Sequence, residues 1–223
     1  MSRPALTRPI LCLVTDRRLC HDGDLVRKVA QAVEGGVNMV QLREKDMPGG
    51  GLLKLTMELK NALQNKALLF INERVDVALA CSADGVQLGE DAMGPSEVRQ
   101  LVKDTMLIGR SVHSMEGALA AQRQGVDLLV VGTIFPSPSH PAGPVSGAAL
   151  LRRLTARIAT PCIGIGGINA ANAAGVIHAG ALGVAVISAI LSSPNPRQAA
   201  AALRQAINAA WASRQGLERV SKR

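Results

Sequence analysis

The chain contains eight short apolar runs, and a segment with the residue spacing of a helix follows each of them. An uninterrupted apolar run is typical of a parallel strand, because helices cover both of its faces. Strands that alternate with helices at this spacing indicate parallel βα units. No GxGxxG fingerprint follows the first run. We therefore predict a single-domain (β/α)8 TIM barrel in preference to an open doubly wound sheet.

The predicted strands cover residues 10–15, 39–42, 68–71, 85–88, 106–109, 128–134, 162–165 and 183–190. The predicted helices cover residues 24–34, 52–63, 75–80, 95–102, 114–124, 148–158, about 169–178 and 198–211.

Length and composition agree with this interpretation. The 223 residues match one α/β barrel of about 200–250 residues. We expect the barrel domain to cover residues 1–213, followed by a basic, frayed tail over residues 214–223. Hydrophobic residues make up 48% of the chain but aromatic residues only 1%, so the core must be aliphatic. The scarcity of aromatic residues argues against a base-stacking surface, and we expect no nucleic-acid partner. The net charge of +8 is compatible with small anionic ligands or with plain solubility.

The cysteines and the apolar runs bear on the compartment. Cys12, Cys20, Cys81 and Cys162 show no CxxC spacing, which gives no support for a zinc site or a disulfide framework. No apolar run reaches membrane-spanning length, and no cleavable signal pattern is present at the amino terminus. We therefore expect a reduced, cytoplasmic protein with no membrane partner. The oligomeric state stays open, and a homo-oligomer is compatible with the sequence.

A glycine pair lies between the seventh predicted strand and the helix after it. Residues 161–169 read PCIGIGGIN, with the pair at Gly166 and Gly167. Glycines at such a junction let another backbone approach, and they leave N–H groups free to bind an anion. Ser188 follows the eighth strand in a similar position. Two neighbouring strand ends of this kind predict a phosphate cup. The alternative is that the glycines only permit a tight turn.

Two cations follow the second predicted strand. Gln41, Arg43 and Lys45 stand at alternate positions, so their side chains point the same way. Two cations on one face suit a polyanion such as diphosphate. The alternative is a surface cluster of salt bridges with Glu44 and Asp46.

Acidic and amide side chains follow the third and fourth strands. Asn72 and Glu73 end the third strand, and Glu90 and Asp91 follow the fourth. Carboxylates close to phosphate-binding cations suit Mg²⁺, which is held by a few oxygens together with substrate phosphates. The alternative is that these are ordinary exposed acidic residues in loops.

Hydroxyl and imidazole groups follow the fifth and sixth strands. Ser111 and His113 come after the fifth, and His113 is suited to proton transfer near neutral pH. Ser137, Ser139 and His140 belong to a proline-rich loop that we interpret as a lid over the barrel mouth. The alternatives are a local hydrogen-bonding role for His113 and a simple connection for the loop.

Several of these strand-end segments also match the motifs of one known group of enzymes. The matching segments are QLREK at 41–45, INERVDVAL at 71–79, ADGVQLG at 83–89, IGRSVHS at 108–114, GTIFPSPSH at 132–140, IGIGGI at 163–168 and AVISAI at 185–190. In this order and over nearly the whole chain, they resemble the thiamine phosphate synthase and thiazole tautomerase superfamily.

The resemblance implies a synthase that condenses two phosphorylated heterocycles. The 4-amino-2-methyl-5-pyrimidinylmethyl diphosphate would lose diphosphate with the help of Mg²⁺, and a thiazole phosphate or its carboxylated form would capture the pyrimidine to give thiamine phosphate. The motifs imply that the pyrimidine diphosphate is held by Gln41, Arg43, Lys45, Asn72 and Ser111. They imply that the thiazole phosphate is held by Gly166, Gly167, Ile187, Ser188, Ser137 and Ser139, with His140 beside it. The catalytic groups would be Lys45, Ser111 and His113.

The sequence departs from the family pattern at the metal site and in the loop. Glu73 stands where the synthases usually have Asp, and Ala92 stands at the second metal-binding Asp position, with Asp91 one residue earlier. The expected Mg²⁺ ligands are therefore Glu73 and Asp91. In the loop, His140 replaces the family's lysine.

These departures leave two alternatives open. A thiazole tautomerase needs no metal and no diphosphate site, and His113 stands at the position of its proton-transferring histidine. A barrel that binds phosphate esters without catalysis is the second alternative. The retained QLREK motif, together with Asn72, favours the synthase.

Overall fold

The computed structural model describes residues 3–20, 24–137 and 147–220, with side chains as far as residue 217. Eight parallel strands follow one another around a closed barrel, in which the first strand pairs with the last. The strands are β1 (Ile10–Val14), β2 (Met39–Leu42), β3 (Leu68–Asn72), β4 (Gly85–Leu88), β5 (Leu107–Val112), β6 (Leu128–Val131), β7 (Cys162–Ile165) and β8 (Gly183–Val186). The helices are α1 (Leu25–Glu34), α2 (Gly49–Leu63), α3 (Val75–Ala80), α4 (Pro95–Val102), α5 (Met115–Arg123), α6 (Gly147–Thr155), α7 (Ala173–His178), α8 (Ser188–Leu191) and α9 (Pro196–Val220). The predicted (β/α)8 barrel is confirmed.

Each strand is apolar on both faces because it separates two cores. In β1, Leu11 and Leu13 pack outward against the helices, while Cys12 and its alternate neighbours face the barrel axis. The interior is almost entirely aliphatic, as the composition predicts, and Phe70 is the one ring that it fully encloses among the described residues. The buried interior residues are Ile10, Cys12, Val14, Met39, Phe70, Leu107, Leu128, Val130, Ile163, Leu182 and Ala185. No described helix has the length and apolar character needed to cross a bilayer.

Side-chain oxygens tie the strands together at the amino end of the barrel. A residue just before β2, β4 and β6 accepts a hydrogen bond from a backbone N–H of the preceding strand. The acceptor and donor pairs are Asn38 with Leu11, Asp84 with Leu69, and Asp127 with Ile108, each at 2.8 Å. This end is therefore occupied by structural contacts, which leaves the carboxyl end for binding and catalysis.

Helix α2 begins earlier than predicted. The predicted helix starts at residue 52, but Gly49, Gly50 and Gly51 make its first turn. Pro48 has extended backbone angles at the N-cap, and its carbonyl accepts a hydrogen bond from the N–H of Leu52. This bond closes the turn around the glycines despite their low helix propensity.

Several other boundaries also differ from the prediction. Strand β5 extends to Val112, because Ser111 and Val112 continue the pairing with β6, and Ser111 therefore lies on the strand itself. Strands β6 and β8 end at Val131 and Val186, several residues before the ends of the predicted apolar runs. The rest of the run after β6 belongs to a loop at the barrel mouth, whereas the rest of the run after β8 leads through Ile187 into helix α8.

Helix α9 continues beyond the expected end of the domain. It runs to Val220, although we expected the helix to end at Trp211. Arg214 donates hydrogen bonds to the carbonyls of Ile177 and Ala181, and its guanidinium lies 4.3 Å from the centre of the Trp211 ring. These contacts anchor the turn after residue 213 to the barrel.

A candidate active site at the carboxyl end of the barrel

A cavity of about 740 Å³ opens where the carboxyl ends of the strands meet. Every described residue that the sequence predicts for the site lines it. These residues are Gln41, Arg43, Lys45, Asn72, Glu73, Asp91, Ser111, His113, Ser137, Gly166, Gly167, Ile187 and Ser188. The predicted ligands Ser139 and His140, and most of the predicted lid, lie outside the described residues.

The acidic neighbours of Arg43 and Lys45 are occupied by another cation. Arg17 donates to Glu44 at 3.1 Å and to Asp46 at 2.7 Å. The hydrogen bond to Asp46 raises the pKa of Arg17 above its ordinary value. The Glu44 side chain is only 3% exposed, so the alternative of a surface salt-bridge cluster around Arg43 and Lys45 is wrong. Both cations line the cavity instead.

A buried hydroxyl fixes the backbone from which these cations extend. The Thr15 hydroxyl donates to Glu44 at 2.7 Å, and its oxygen accepts the backbone N–H of Arg43 at 2.9 Å. Glu44 also accepts the backbone N–H of Arg17. The end of β1 is thereby locked to the end of β2, and we infer that this contact limits the movement of Arg43.

Four polar side chains form a belt above the apolar interior, on the consecutive strands β2 to β5. Gln41 donates its Nε2–H to Asn72 Oδ1 at 3.0 Å, and Gln87 donates its Nε2–H to Ser111 Oγ at 3.1 Å. Asn72 and Gln87 are partners in the β3–β4 register. We call Gln41, Asn72, Gln87 and Ser111 the polar belt. It forms the boundary between the packed interior and the cavity.

Two carboxylates lie on the rim of the cavity, Glu73 after β3 and Asp91 after β4. The Glu73 Oε1 atom lies 3.9 Å from Lys45 Nζ, and its side chain lies against Gly89. Among the described residues, no group of three or more His, Cys, Asp or Glu side chains is placed to hold a metal ion. Mg²⁺ at a phosphate site needs only one or two carboxylates, because the substrate phosphates supply further oxygens. Glu73 and Asp91 are carboxylates of the type that Mg²⁺ takes as ligands beside a phosphate group.

His113 is paired with a carboxylate at the edge of the cavity. Its Nδ1 atom lies 3.2 Å from Glu90 Oε1, and both side chains are about half exposed. Arg110 donates to the backbone carbonyl of Glu90 at 2.8 Å and so holds the loop that carries this carboxylate. An imidazole oriented by a carboxylate can accept or donate a proton at its other nitrogen.

The glycine pair adopts backbone angles that other residues rarely take. Gly166 has φ 102° and Gly167 has φ 61°. A Cβ atom at Gly166 would overlap Thr133, and one at Gly167 would overlap the carbonyl oxygen of Pro136. Glycine is therefore required here both by conformation and by the close approach of the loop after β6.

Hydrogen bonds hold the carbonyls of this glycine turn and leave its N–H groups available. Phe135 donates its backbone N–H to the carbonyl of Gly166 at 3.1 Å, and Asn172 donates its Nδ2–H to the carbonyl of Gly167 at 2.9 Å. The N–H groups of Gly167 and Ile168 make no hydrogen bond to another described residue. Ser188, at the first turn of α8, lines the same cavity. Backbone N–H groups and a hydroxyl are groups that can bind an anion.

Some residues of the site were not predicted. Thr15 and the buried Glu44 shape the cation side, and Gln87 completes the polar belt. Gln87 alternates with Gly85 on β4 and with Gly89 just after the strand. This alternation could have identified Gln87 as an inward-facing side chain. Further lining residues are Val14, Val130, Thr133, Ile165, Asn169, Ala185 and Ser192.

A (β/α)8 barrel with cations on one side of its carboxyl-end cavity and a glycine turn on the other belongs to the class of barrels that bind small anionic molecules. A family model described as thiamine monophosphate synthase matches residues 11–190. The chain belongs to this family.

Individual relatives agree over nearly their full lengths. A thiamine-phosphate synthase of Roseiflexus castenholzii is 41% identical over 198 residues, which cover 88% of this chain and 87% of that protein. A thiamine-phosphate synthase of Pyrococcus furiosus is 39% identical over 198 residues and covers 88% and 94% of the two chains. The solved structure of a thiamine phosphate pyrophosphorylase from Pyrococcus furiosus aligns with a TM-score of 0.83 at 36% identity, covering 91% of this chain and 96% of that chain.

Proposed function

We propose that this protein is a thiamine phosphate synthase, a transferase that joins 4-amino-2-methyl-5-pyrimidinylmethyl diphosphate to a thiazole phosphate. The observation that carries the proposal is that one cavity is lined by two separate groups of residues whose chemistry suits anions. The cations Arg43 and Lys45 lie after β2, and the glycine turn lies after β7. Two phosphorylated substrates need two such groups, and the family membership agrees with this pairing.

We propose that the diphosphate binds on the side of β2 to β5. Arg43 makes no ion pair with another described residue, and the only ion pair of Lys45 within the described part of the chain is with Glu73, at 3.9 Å. Both are therefore available to a polyanion. Asn72 and Ser111 accept hydrogen bonds from Gln41 and Gln87 and retain their own hydrogens for the substrate.

We propose that the monophosphate of the thiazole binds on the side of β7 and β8. The N–H groups of Gly167 and Ile168, together with Ser188, would bind its oxygens. Ser137 lines the cavity beside Gly167 and would add a hydroxyl. The proposed roles of Ser139 and His140 in the same loop remain predictions.

Arg43 and Lys45 would then assist the departure of the diphosphate. The bond between the pyrimidinylmethyl carbon and the diphosphate oxygen breaks, and its electron pair leaves with the diphosphate. The lone pair of the thiazole nitrogen forms the new C–N bond, and thiamine phosphate and diphosphate are the products. Two cations near the leaving oxygens stabilise the charge that develops there.

We further propose Mg²⁺ as the cofactor, with Glu73 and Asp91 as its protein ligands. When bound, the ion would neutralise charge on the departing diphosphate. Both carboxylates line the cavity that Arg43 and Lys45 also line, and this shared position supports the proposal.

The cellular setting is also a proposal. All four cysteines are free thiols, which is typical of a reducing compartment such as the cytoplasm. The partners that we expect are the small phosphorylated heterocycles. Homo-oligomer formation stays a prediction that light scattering on the purified protein tests.

The proposed activity is tested by incubating the purified protein with the pyrimidine diphosphate, the thiazole phosphate and Mg²⁺. We expect thiamine phosphate and diphosphate in equal amounts, and no product when either heterocycle is left out. Failure to form thiamine phosphate under these conditions would overturn the proposal.

A thiazole tautomerase is the second candidate, and the pair formed by His113 and Glu90 favours it. This activity would move a proton on the carboxythiazole phosphate and would need neither Mg²⁺ nor the pyrimidine. The matching assay supplies the carboxythiazole tautomer alone. Two results together would move the assignment to the tautomerase. The wild-type protein would convert the tautomer without showing synthase activity, and His113→Gln would lose this conversion.

A further inference from the structure

Gln87 lies in the barrel interior directly beneath the cavity. It is 2% exposed, faces inward on β4 and is not among the residues that line the cavity. Its Nε2–H donates to Ser111 Oγ at 3.1 Å. A buried amide in an aliphatic interior has a desolvation cost that its hydrogen bonds must offset. A leucine in its place would avoid that cost, which indicates that the amide has a role beyond packing.

The neighbouring strand is built to accommodate the amide. A Cβ atom at Gly109, the register partner of Gln87 on β5, would overlap Gln87 Oε1. Glycine at this position therefore makes room for the amide oxygen. The space on β5 and the hydrogen bond to Ser111 together hold the amide in one orientation, with its nitrogen directed at the hydroxyl.

The direction of the Gln87 hydrogen bond decides what Ser111 can offer to a ligand. A serine hydroxyl has one hydrogen to donate and two lone pairs that accept. Gln87 uses a lone pair, so the hydrogen of Ser111 stays available. No other side-chain partner of Ser111 is present among the described residues, and Ser111 lines the cavity. Its hydrogen is therefore free to be donated to a group inside the cavity.

The other half of the polar belt has the same hydrogen-bond direction. Gln41 donates its Nε2–H to Asn72 Oδ1, which leaves the Nδ2 hydrogens of Asn72 available. In both pairs a glutamine satisfies the acceptor of its neighbour and leaves a donor for the cavity. Asn72 and Ser111 line the same cavity, and hydrogen-bond donors are what an anionic ligand requires.

We propose that Gln87 is a positioning residue for the diphosphate subsite: it keeps Ser111 oriented as a hydrogen-bond donor to the diphosphate. This inference rests on the proposed function. It assigns to Gln87 no contact with the substrate, since Gln87 acts through Ser111.

Two variants of similar size separate this role from simple packing. Gln87→Met removes the donor while filling similar space, and Gln87→Glu replaces it by an acceptor that draws the Ser111 hydrogen away from the cavity. Binding of inorganic diphosphate with Mg²⁺, measured by calorimetry, is the readout that needs no turnover. We expect Gln87→Met to weaken this binding about fivefold to tenfold, the size of one net hydrogen bond, and Gln87→Glu to weaken it more. Thiazole phosphate binding should stay within about twofold, because its cup lies on other strands.

The same substitutions in a Ser111→Ala background complete a double-mutant cycle. We expect Gln87→Met to change diphosphate binding less than about twofold there, since the hydroxyl that it orients is absent. Gln87→Met could weaken diphosphate binding equally in both backgrounds, or leave it unchanged. If the wild-type protein makes thiamine phosphate, either result would overturn the inference about Gln87 and leave the proposed function standing. A wild-type protein that makes no thiamine phosphate and binds no diphosphate would overturn the proposed function and this inference with it. Circular dichroism of every variant identifies one that fails to fold, in which case the remaining Gln87 variant completes the cycle.

Discussion

Thr15 donates its hydroxyl hydrogen across 2.7 Å to Glu44, a carboxylate that is almost fully buried in the wall of the barrel. The same hydroxyl accepts the backbone N–H of Arg43. One side chain at the end of β1 therefore stabilises a buried charge and also holds the backbone of a proposed diphosphate ligand. We therefore infer that the Thr15 contact helps to position Arg43 for diphosphate binding.

Replacing Thr15 tests this dependence. Thr15→Val keeps the shape of the side chain but removes one hydrogen bond to the buried Glu44, which keeps those from Arg17, and leaves the N–H of Arg43 without its acceptor. We therefore expect it to lower the free energy of unfolding by about 1–3 kcal/mol. Diphosphate binding should weaken more than thiazole phosphate binding, because only the diphosphate contacts Arg43 in our proposal. Chemical denaturation and calorimetry measure the two effects.

Thr15→Ser is the matched control, since it retains the hydroxyl. It should keep diphosphate affinity within about twofold of the wild-type protein. A Thr15→Val protein with normal diphosphate affinity would contradict the positioning role of Thr15.

Arg43→Ala tests whether the cavity contains two subsites. We expect the KM for the pyrimidine diphosphate to rise at least about tenfold, because a charge-assisted hydrogen bond contributes roughly 1.5–3 kcal/mol. Binding of the thiazole phosphate alone should change little. Arg18→Ala removes the same charge from an exposed side chain outside the cavity and serves as the control. Equal losses of both ligands in Arg43→Ala would contradict the two-subsite arrangement.

Gly167→Ala tests the glycine turn. A side chain at φ 61° costs about 1–2 kcal/mol, and its Cβ atom would also overlap the carbonyl of Pro136. We therefore expect a lower melting temperature and a loss of thiazole phosphate binding. Gly175→Ala, in an open position on α7, should instead stabilise the protein by roughly 0.5–1 kcal/mol. Unchanged thiazole phosphate binding in Gly167→Ala would be evidence against the cup.

The fold was predictable because its signal is local. A parallel strand between two cores is apolar at every position, and eight such runs are readable without knowledge of their contacts. A related reason made the shared direction of three side chains predictable, those of Gln41, Arg43 and Lys45. Side chains alternate along a strand, so residues two apart point the same way. The structure brings these residues to one cavity, as the alternation predicts.

The remaining features depend on contacts between distant parts of the chain. Glu44 stands in a polar segment of the sequence, yet its carboxylate is buried against Thr15 and Arg17 from the segment after β1. The first turn of α2 contains three glycines, whose low helix propensity argued against the helix that forms. Helix α9 extends past Trp211 because Arg214 finds carbonyl acceptors near α7 and β8. A local sequence pattern does not show which distant residues will make these contacts.

The buried thiols provide a test of the barrel interior. Burial raises the pKa of Cys12 and of Cys162 to about 12, so at pH 8 only about one thiol in ten thousand is ionised at each site. We expect neither to react with a disulfide reagent until the protein unfolds. Cys20 is the least buried of the four and should react first. Cys20→Ser should remove this first reaction, whereas rapid modification of Cys12 in the native protein would contradict the packed interior.

Glu73→Gln tests the proposed metal ligands. The substitution keeps the shape of the side chain but removes the charge that would bind Mg²⁺ and that now lies 3.9 Å from Lys45. We expect the Mg²⁺ concentration for half-maximal turnover to rise about tenfold or more, a size typical of losing one charged oxygen ligand to a weakly held ion. Binding of Mn²⁺ in the presence of inorganic diphosphate, followed by electron paramagnetic resonance, should weaken in parallel, and a chelator should abolish turnover in the wild-type protein.

Glu97→Gln, which changes the same charge on α4 outside the cavity, is the control for Glu73→Gln. Identical Mg²⁺ dependence in Glu73→Gln and the wild-type protein would exclude Glu73 as a ligand and leave Asp91 as the remaining carboxylate to test.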